Sequence, residues 1–123
     1  MSDAELRITT YLSDIYTSAE RILVMLEKET LESFQSSSSM TIQDAVARRY
    51  TIIGEASAAL LRKYPEFCQA HPEMETPLQL AKGMRNIIVH EYNRVMWQIL
   101  WDTAKKDLPK LIDSIAPFLR EKS

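Results

Sequence analysis

Glycine is almost missing from this chain: only Gly54 and Gly83 occur in 123 residues. A β-sandwich or barrel needs turn residues every 8 to 12 positions or so, so this scarcity argues against an all-β architecture. A single cysteine, Cys68, rules out an internal disulfide framework and suits a reducing compartment. The two histidines, His71 and His90, combine with that cysteine into no HExxH, paired CxxC or other clustered ligand spacing, so neither a metal nor a cofactor is expected. No apolar run approaches the roughly 18 residues of a membrane span. Met1-Ser2-Asp3-Ala4-Glu5 is acidic where a signal peptide would be basic. The expectation is a soluble, cytoplasmic protein without a membrane partner.

What is present suffices for one real core. Hydrophobic residues make up 46% of the chain, and its length is that of a single domain over residues 1–123. The formal charge of −2 excludes a protein that holds nucleic acid by charge alone, but the distribution is uneven. Residues 1–40 carry a net −4 and residues 41–123 a net +2, with Arg48, Arg49, Arg62, Lys63, Lys82, Arg85 and Arg94 in the middle of the chain. A local positive surface is compatible with that pattern; solvated helix faces account for most of these residues singly.

Apolar spacing predicts an all-α fold, a four- to five-helix up-and-down bundle. The first helix is expected from about Asp3 to Glu29, opened by Ser2 with Glu5 three positions on, and carries Ile8, Leu12, Ile15, Ala19, Ile22 and Leu26 on one stripe. Ser36-Ser37-Ser38-Ser39 reads as a flexible polar connector. A second helix should follow Thr41 and stop at Tyr64 before Pro65, with Gly54 and Ser57 letting another backbone come close in mid-helix. Glu55, flanked by apolar residues, is expected to pair with an arginine of another helix or to help position a site. Pro65, Pro72 and Pro77 delimit an expected irregular stretch, and Cys68 and His71 within it lack the third group that a catalytic thiol would need. A third helix should start near Pro77. The last, from about Val95 to Arg120, should be bent or shortened by Pro109 and Pro117, with Trp97 and Trp101 as core or interface anchors rather than base-stacking platforms.

Unusual chemistry is concentrated in Gly83-Met84-Arg85-Asn86-Ile87-Ile88-Val89-His90-Glu91-Tyr92-Asn93. Arginine offers a permanent charge and a planar fork of donors suited to phosphate, and a histidine both accepts and gives a proton near neutral pH. That pair suits phosphodiester chemistry: His90 as general acid or base, Arg85 binding the phosphate and stabilising the charge that builds on it, and Asn86 orienting either one. Five positions along an ideal helix turn through about 140°, so both cannot grip one phosphate from a regular helix in one chain. Either the helix loosens around Val89, or two copies pool their side chains across a two-fold axis.

The spacing Arg85, four residues, His90, one residue, Tyr92 resembles the HepT-like family of the HEPN superfamily, small helical ribonuclease toxins. The segments Gln43–Arg49 and Ile52–Ala56 are similar to that family's second long helix, and Trp101-Asp102 with Asp107-Leu108-Pro109 to its last. Thr76-Pro77-Leu78 stands where the family often has a Pro-Trp pair. The resemblance implies a homodimer with the motif lining a cleft between subunits, and an RNA substrate. It also implies a cognate antitoxin of the minimal nucleotidyltransferase kind, which transfers AMP to Tyr92 and so blocks the RNA phosphate site by charge and bulk. A non-catalytic helical partner of such a nucleotidyltransferase is the alternative.

Overall fold

The computed structural model describes residues 2–90 and 94–122, with only the backbone described at Ser37, Val89, His90, Arg94, Val95, Glu121 and Lys122. Its described elements are α1 (Asp3–Leu26), α2 (Leu31–Gln35), a 3₁₀ turn (Ser37–Ser39), α3 (Met40–Lys63), α4 (Pro65–Ala70), α5 (Pro72–His90), α6 (Arg94–Lys106) and α7 (Leu108–Lys122). Five of these helices have 13 residues or more and form the bundle; two short ones join them. The all-α expectation holds, and none of the described helices is long and apolar enough to cross a membrane.

Helix α1 starts as its sequence predicts: the Ser2 hydroxyl accepts from the Glu5 amide at 3.1 Å, satisfying one of the first-turn donors. Its stripe Leu12, Ile15, Ala19, Ile22 and Leu26 is fully buried. Against it packs α3, whose Val46, Tyr50, Ile53 and Leu60 are buried in the same cluster. The other face of α3 packs on α5, which contributes Met74, Leu78, Ala81 and Met84. Helices α6 and α7 close the bundle with Met96, Trp97, Leu100, Ala104, Leu108, Leu111 and Ile115. Trp97 is a core residue, edge-on to Phe34 at 5.6 Å between ring centres, and Trp101 is half-buried under the Lys105 ammonium. Both act as anchors, as expected.

Five expectations change. The stretch 65–77 is helical, not irregular: Pro65 and Pro72 each open a helix, where the missing amide is an orphan in any case. Helix α5 therefore starts five residues before Pro77, which lies inside it. The serine run is not a free connector. The Ser39 hydroxyl donates to the Ser33 carbonyl at 2.6 Å, the Ser36 hydroxyl accepts from the Ser38 amide, and Gln43 Nε2 donates to the Phe34 carbonyl at 2.7 Å. Short hydroxyls bind nearby backbone and so make turns of their own. Helix α3 consequently begins at Met40 after Ser39, with no side-chain cap, because that hydroxyl is engaged with α2. Finally, the last helix is two, broken at Asp107; Pro109 falls in the first turn of α7, where it is tolerated.

Candidate active site on helix α5

Helix α5 presents the motif by burying its neighbours. Ala81 and Met84 are in the core, Ile87 and Ile88 are half-buried against it, and Asn86 is exposed. Arg85 lies between these extremes, half-buried, with its Cβ against α3. There the facing residue is Gly54: a Cβ added to it would stand 3.0 Å from the Arg85 Cβ and 3.0 Å from the Ala81 carbonyl oxygen. The mid-helix glycine thus lets α5 come close at the residue that carries the cation. Among the described residues no carboxylate pairs with Arg85.

Helix α5 continues as α-helix to His90, so the backbone does not loosen at Val89. The side chain of His90, and Glu91, Tyr92 and Asn93 entirely, lie outside the described residues; the roles expected of His90 and Tyr92 fall there. Gly83, in contrast to Gly54, has nothing within 4 Å of where a Cβ would be, so close packing does not account for it.

Glu55 is exposed and, among the described residues, pairs with no arginine of another helix; the neighbouring Gly54, not the carboxylate, meets the motif helix. Arg48 and Arg49 line an open groove between α1 and α3 with Arg21, Val24 and Met25, while the Lys63 ammonium donates to the Tyr11 hydroxyl at 3.3 Å. Cys68 is buried with its thiol near the Leu60 carbonyl at 3.8 Å, and burial, then the Glu75 charge, pushes its pKa up. His71 is stacked between Phe67 and Phe118, each 4.7 Å away between ring centres, with Glu73 at 3.6 Å. Among the described residues no three His, Cys, Asp or Glu side chains gather to hold a metal ion.

Tyr50 escaped the sequence reading. It is buried, and its hydroxyl donates to the Leu100 carbonyl at 2.6 Å, tying α3 to α6 behind α5. The signal was available: Val46, Tyr50 and Ile53 continue one three- and four-residue spacing.

Comparison with known proteins agrees with this geometry. The family model described as ribonuclease HepT-like matches residues 15–117. A protein of Thermococcus cleftensis named as a candidate ribonuclease HepT is 35% identical over 101 residues, covering 82% of this chain and 86% of its own. A candidate RNase of Caldanaerobacter subterraneus subsp. tengcongensis is 30% identical over 111 residues, 90% of this chain and 93% of its own. A Methanocaldococcus jannaschii protein, named for gamma-glutamylcyclotransferase and candidate RNase parts together, is 33% identical over 114 residues, and this chain spans 48% of its length. No solved structure matches at a comparable level. With the match running from α1 through α7 and including the whole of α5, the chain belongs to the HepT-like family of ribonucleases.

Proposed function

We propose that the chain, acting as one domain and as a homodimer, is a metal-independent endoribonuclease toxin. His90 moves the proton of the ribose 2'-hydroxyl, the freed oxygen attacks the adjacent phosphorus, and the 5'-oxygen leaves, giving a 2',3'-cyclic phosphate end. Arg85 binds the phosphate and stabilises the charge on the crowded phosphorus. Asn86, exposed one residue on, orients substrate or base. What supports this reading is the placing of Arg85 on a helix held tightly against α3, in a chain of a ribonuclease family.

Because α5 remains regular to His90, we assign the meeting of arginine and histidine to two copies whose motifs share a cleft. Control is by a minimal nucleotidyltransferase antitoxin that transfers AMP to Tyr92, adding negative charge where RNA phosphate must bind.

The test is cleavage of a labelled tRNA pool in EDTA by wild type, Arg85→Ala and His90→Ala, with mass spectrometry first excluding an AMP group on Tyr92. Cyclic-phosphate fragments that fall by about 100-fold or more in both variants, with folding and dimerisation retained, support the reading. Undiminished cleavage by either variant removes that residue's role. A folded, unmodified dimer that cuts no RNA shifts the reading to a non-catalytic partner of the nucleotidyltransferase.

A further inference from the structure

Beside the turns of α5 that lead to Arg85 lies a cavity of about 170 Å³. Leu80, Ala81 and Met84 of α5, Ile53 of α3 and Leu111 of α7 give it apolar walls. Its polar lining is Tyr50, Thr76, Thr103, Asp107 and Lys110, of which Thr76 and Lys110 are exposed. The Tyr50 hydroxyl is bonded to Leu100, and the Thr103 hydroxyl contacts the Met84 sulfur at 3.9 Å. Asp107, at the junction of α6 and α7, is half-buried where it lines the cavity, and among the described residues its carboxylate has neither an ion pair nor a hydrogen bond.

Water is poorly held by such a wall, since an ordered molecule needs two to four polar partners, whereas an apolar cavity of about 150 Å³ accepts a single benzene ring. A flat ring with apolar faces and one hydrogen-bonding edge fits both features, the walls and the carboxylate. A pyrimidine base is such a group. A carboxylate accepts from the exocyclic N4 amino group of cytosine; uracil presents a carbonyl oxygen there, which a carboxylate repels. Single-stranded RNA is commonly read by taking splayed bases into pockets and bonding their edges.

Location links the cavity to the site. Met84 and Ala81 line it, and Arg85 follows Met84 directly. Four residues of helix rise about 6 Å, so a strand whose phosphate reaches Arg85 brings an adjoining base to the cavity.

We propose that this cavity is a base-recognition pocket, taking the pyrimidine of a nucleotide that flanks the phosphate held by Arg85, with Asp107 selecting cytosine over uracil. The proposal rests on the ribonuclease reading for its purpose, and the pocket itself can be tested without cleavage.

Methyl-labelled wild-type protein is titrated with 3'-CMP and 3'-UMP, following the methyl resonances of Leu80, Met84 and Leu111. The expected result is shifts at these methyls with CMP at least about tenfold tighter than with UMP, as one charge-assisted hydrogen bond implies. Asp107→Asn, nearly the same in size and shape but uncharged, brings the two nucleotides within about threefold. Leu80→Trp fills the rim at a residue that is already 51% exposed, and abolishes the shifts at Met84 and Leu111. In parallel, oligonucleotides differing only at the positions flanking the cut report kcat/KM for each base. Wild type favours cytosine by about tenfold, and Asp107→Asn loses that preference. Cleavage with no cytosine preference and no shifts at these methyls overturns the pocket and leaves the ribonuclease reading standing. Cytosine-selective shifts without any RNA cleavage sustain the pocket and remove that reading. Equal shifts from both nucleotides, or a cytosine preference that survives Asp107→Asn, overturn the assignment to Asp107.

Discussion

Arg85 and Gly54 stand face to face across the α3–α5 contact, and the Ala81 carbonyl closes on the same glycine one turn away. A backbone oxygen at 3.0 Å from a new Cβ cannot swing aside as a flexible side chain would, so any substitution at Gly54 has to part the two helices. Overpacking of this kind costs about 1–3 kcal/mol, while alanine in place of a helical glycine returns about 1 kcal/mol. Gly54→Ala should therefore lose about 1 kcal/mol and Gly54→Val about 3 kcal/mol in urea denaturation. RNA cleavage should fall in both by more than the unfolded fraction accounts for, because Arg85 is displaced. Gly83→Ala is the internal control: with open space around it, it should gain about 0.5–1 kcal/mol. A Gly54→Val protein as stable as wild type would show that the α3–α5 contact is not close.

The long helices were legible because their periodicity is strong: Leu12, Ile15, Ala19, Ile22 and Leu26 are apolar at helical spacing and are all buried. The Ser2 cap and the close approach at Gly54 were legible too, since each rests on one residue's local chemistry. What was not legible depended on competing uses of the same residue. Pro65, Pro72 and Pro77 look alike in sequence, yet the first two open helices and the third sits inside one. Ser39 could have capped α3, but its hydroxyl is taken by the Ser33 carbonyl. As for the site, Arg85 and Asn86 were readable as a motif. The cavity beside them was not, because its walls come from α3, α5, α6 and α7 and exist only once these are packed.

Ser57 is fully buried on α3, and its hydroxyl has no hydrogen-bond partner among the described residues. An unpaired buried hydroxyl is a cost of about 1–3 kcal/mol to the folded state, and serine is a weaker helix former than alanine. Ser57→Ala should accordingly raise stability by about 1 kcal/mol, visible as a higher Tm by calorimetry with the same unfolding cooperativity. A drop in Tm would mean that the hydroxyl is bonded in solution.

Cys68 should be inert. It is only 4% exposed, and burial reinforced by the Glu75 charge raises its pKa, so little of the nucleophilic thiolate forms at neutral pH. Treatment of the native protein with Ellman's reagent at pH 8 should release no chromophore over minutes, and addition of urea should release one equivalent. Cys68→Ala should keep full RNA cleavage while losing about 1 kcal/mol of stability through the small void. Loss of cleavage in that variant, with the fold intact, would return the thiol to consideration as a functional group.

Tyr50 makes stability depend on alkaline pH. Its phenol is held in the core, donating to the Leu100 carbonyl at 2.6 Å, and burial, then the nearby Asp107 charge, pushes its pKa well above the usual tyrosine value. In the unfolded chain that phenol ionises near pH 10, so above that pH the unfolded state gives up a proton that the folded state keeps. The unfolded state then binds fewer protons, and stability falls as pH rises, by up to about 1.4 kcal/mol per pH unit from this one group. Below pH 10 the contribution is fully present. In Tyr50→Phe the Leu100 carbonyl remains inside α6 with its helical partner available, so the substitution should cost about 1 kcal/mol at pH 7. Between pH 10 and 11 the Tm of wild type should drop more steeply than that of Tyr50→Phe, and the two should converge. Parallel curves across that range would mean that the phenol reaches solvent and titrates normally in the folded protein.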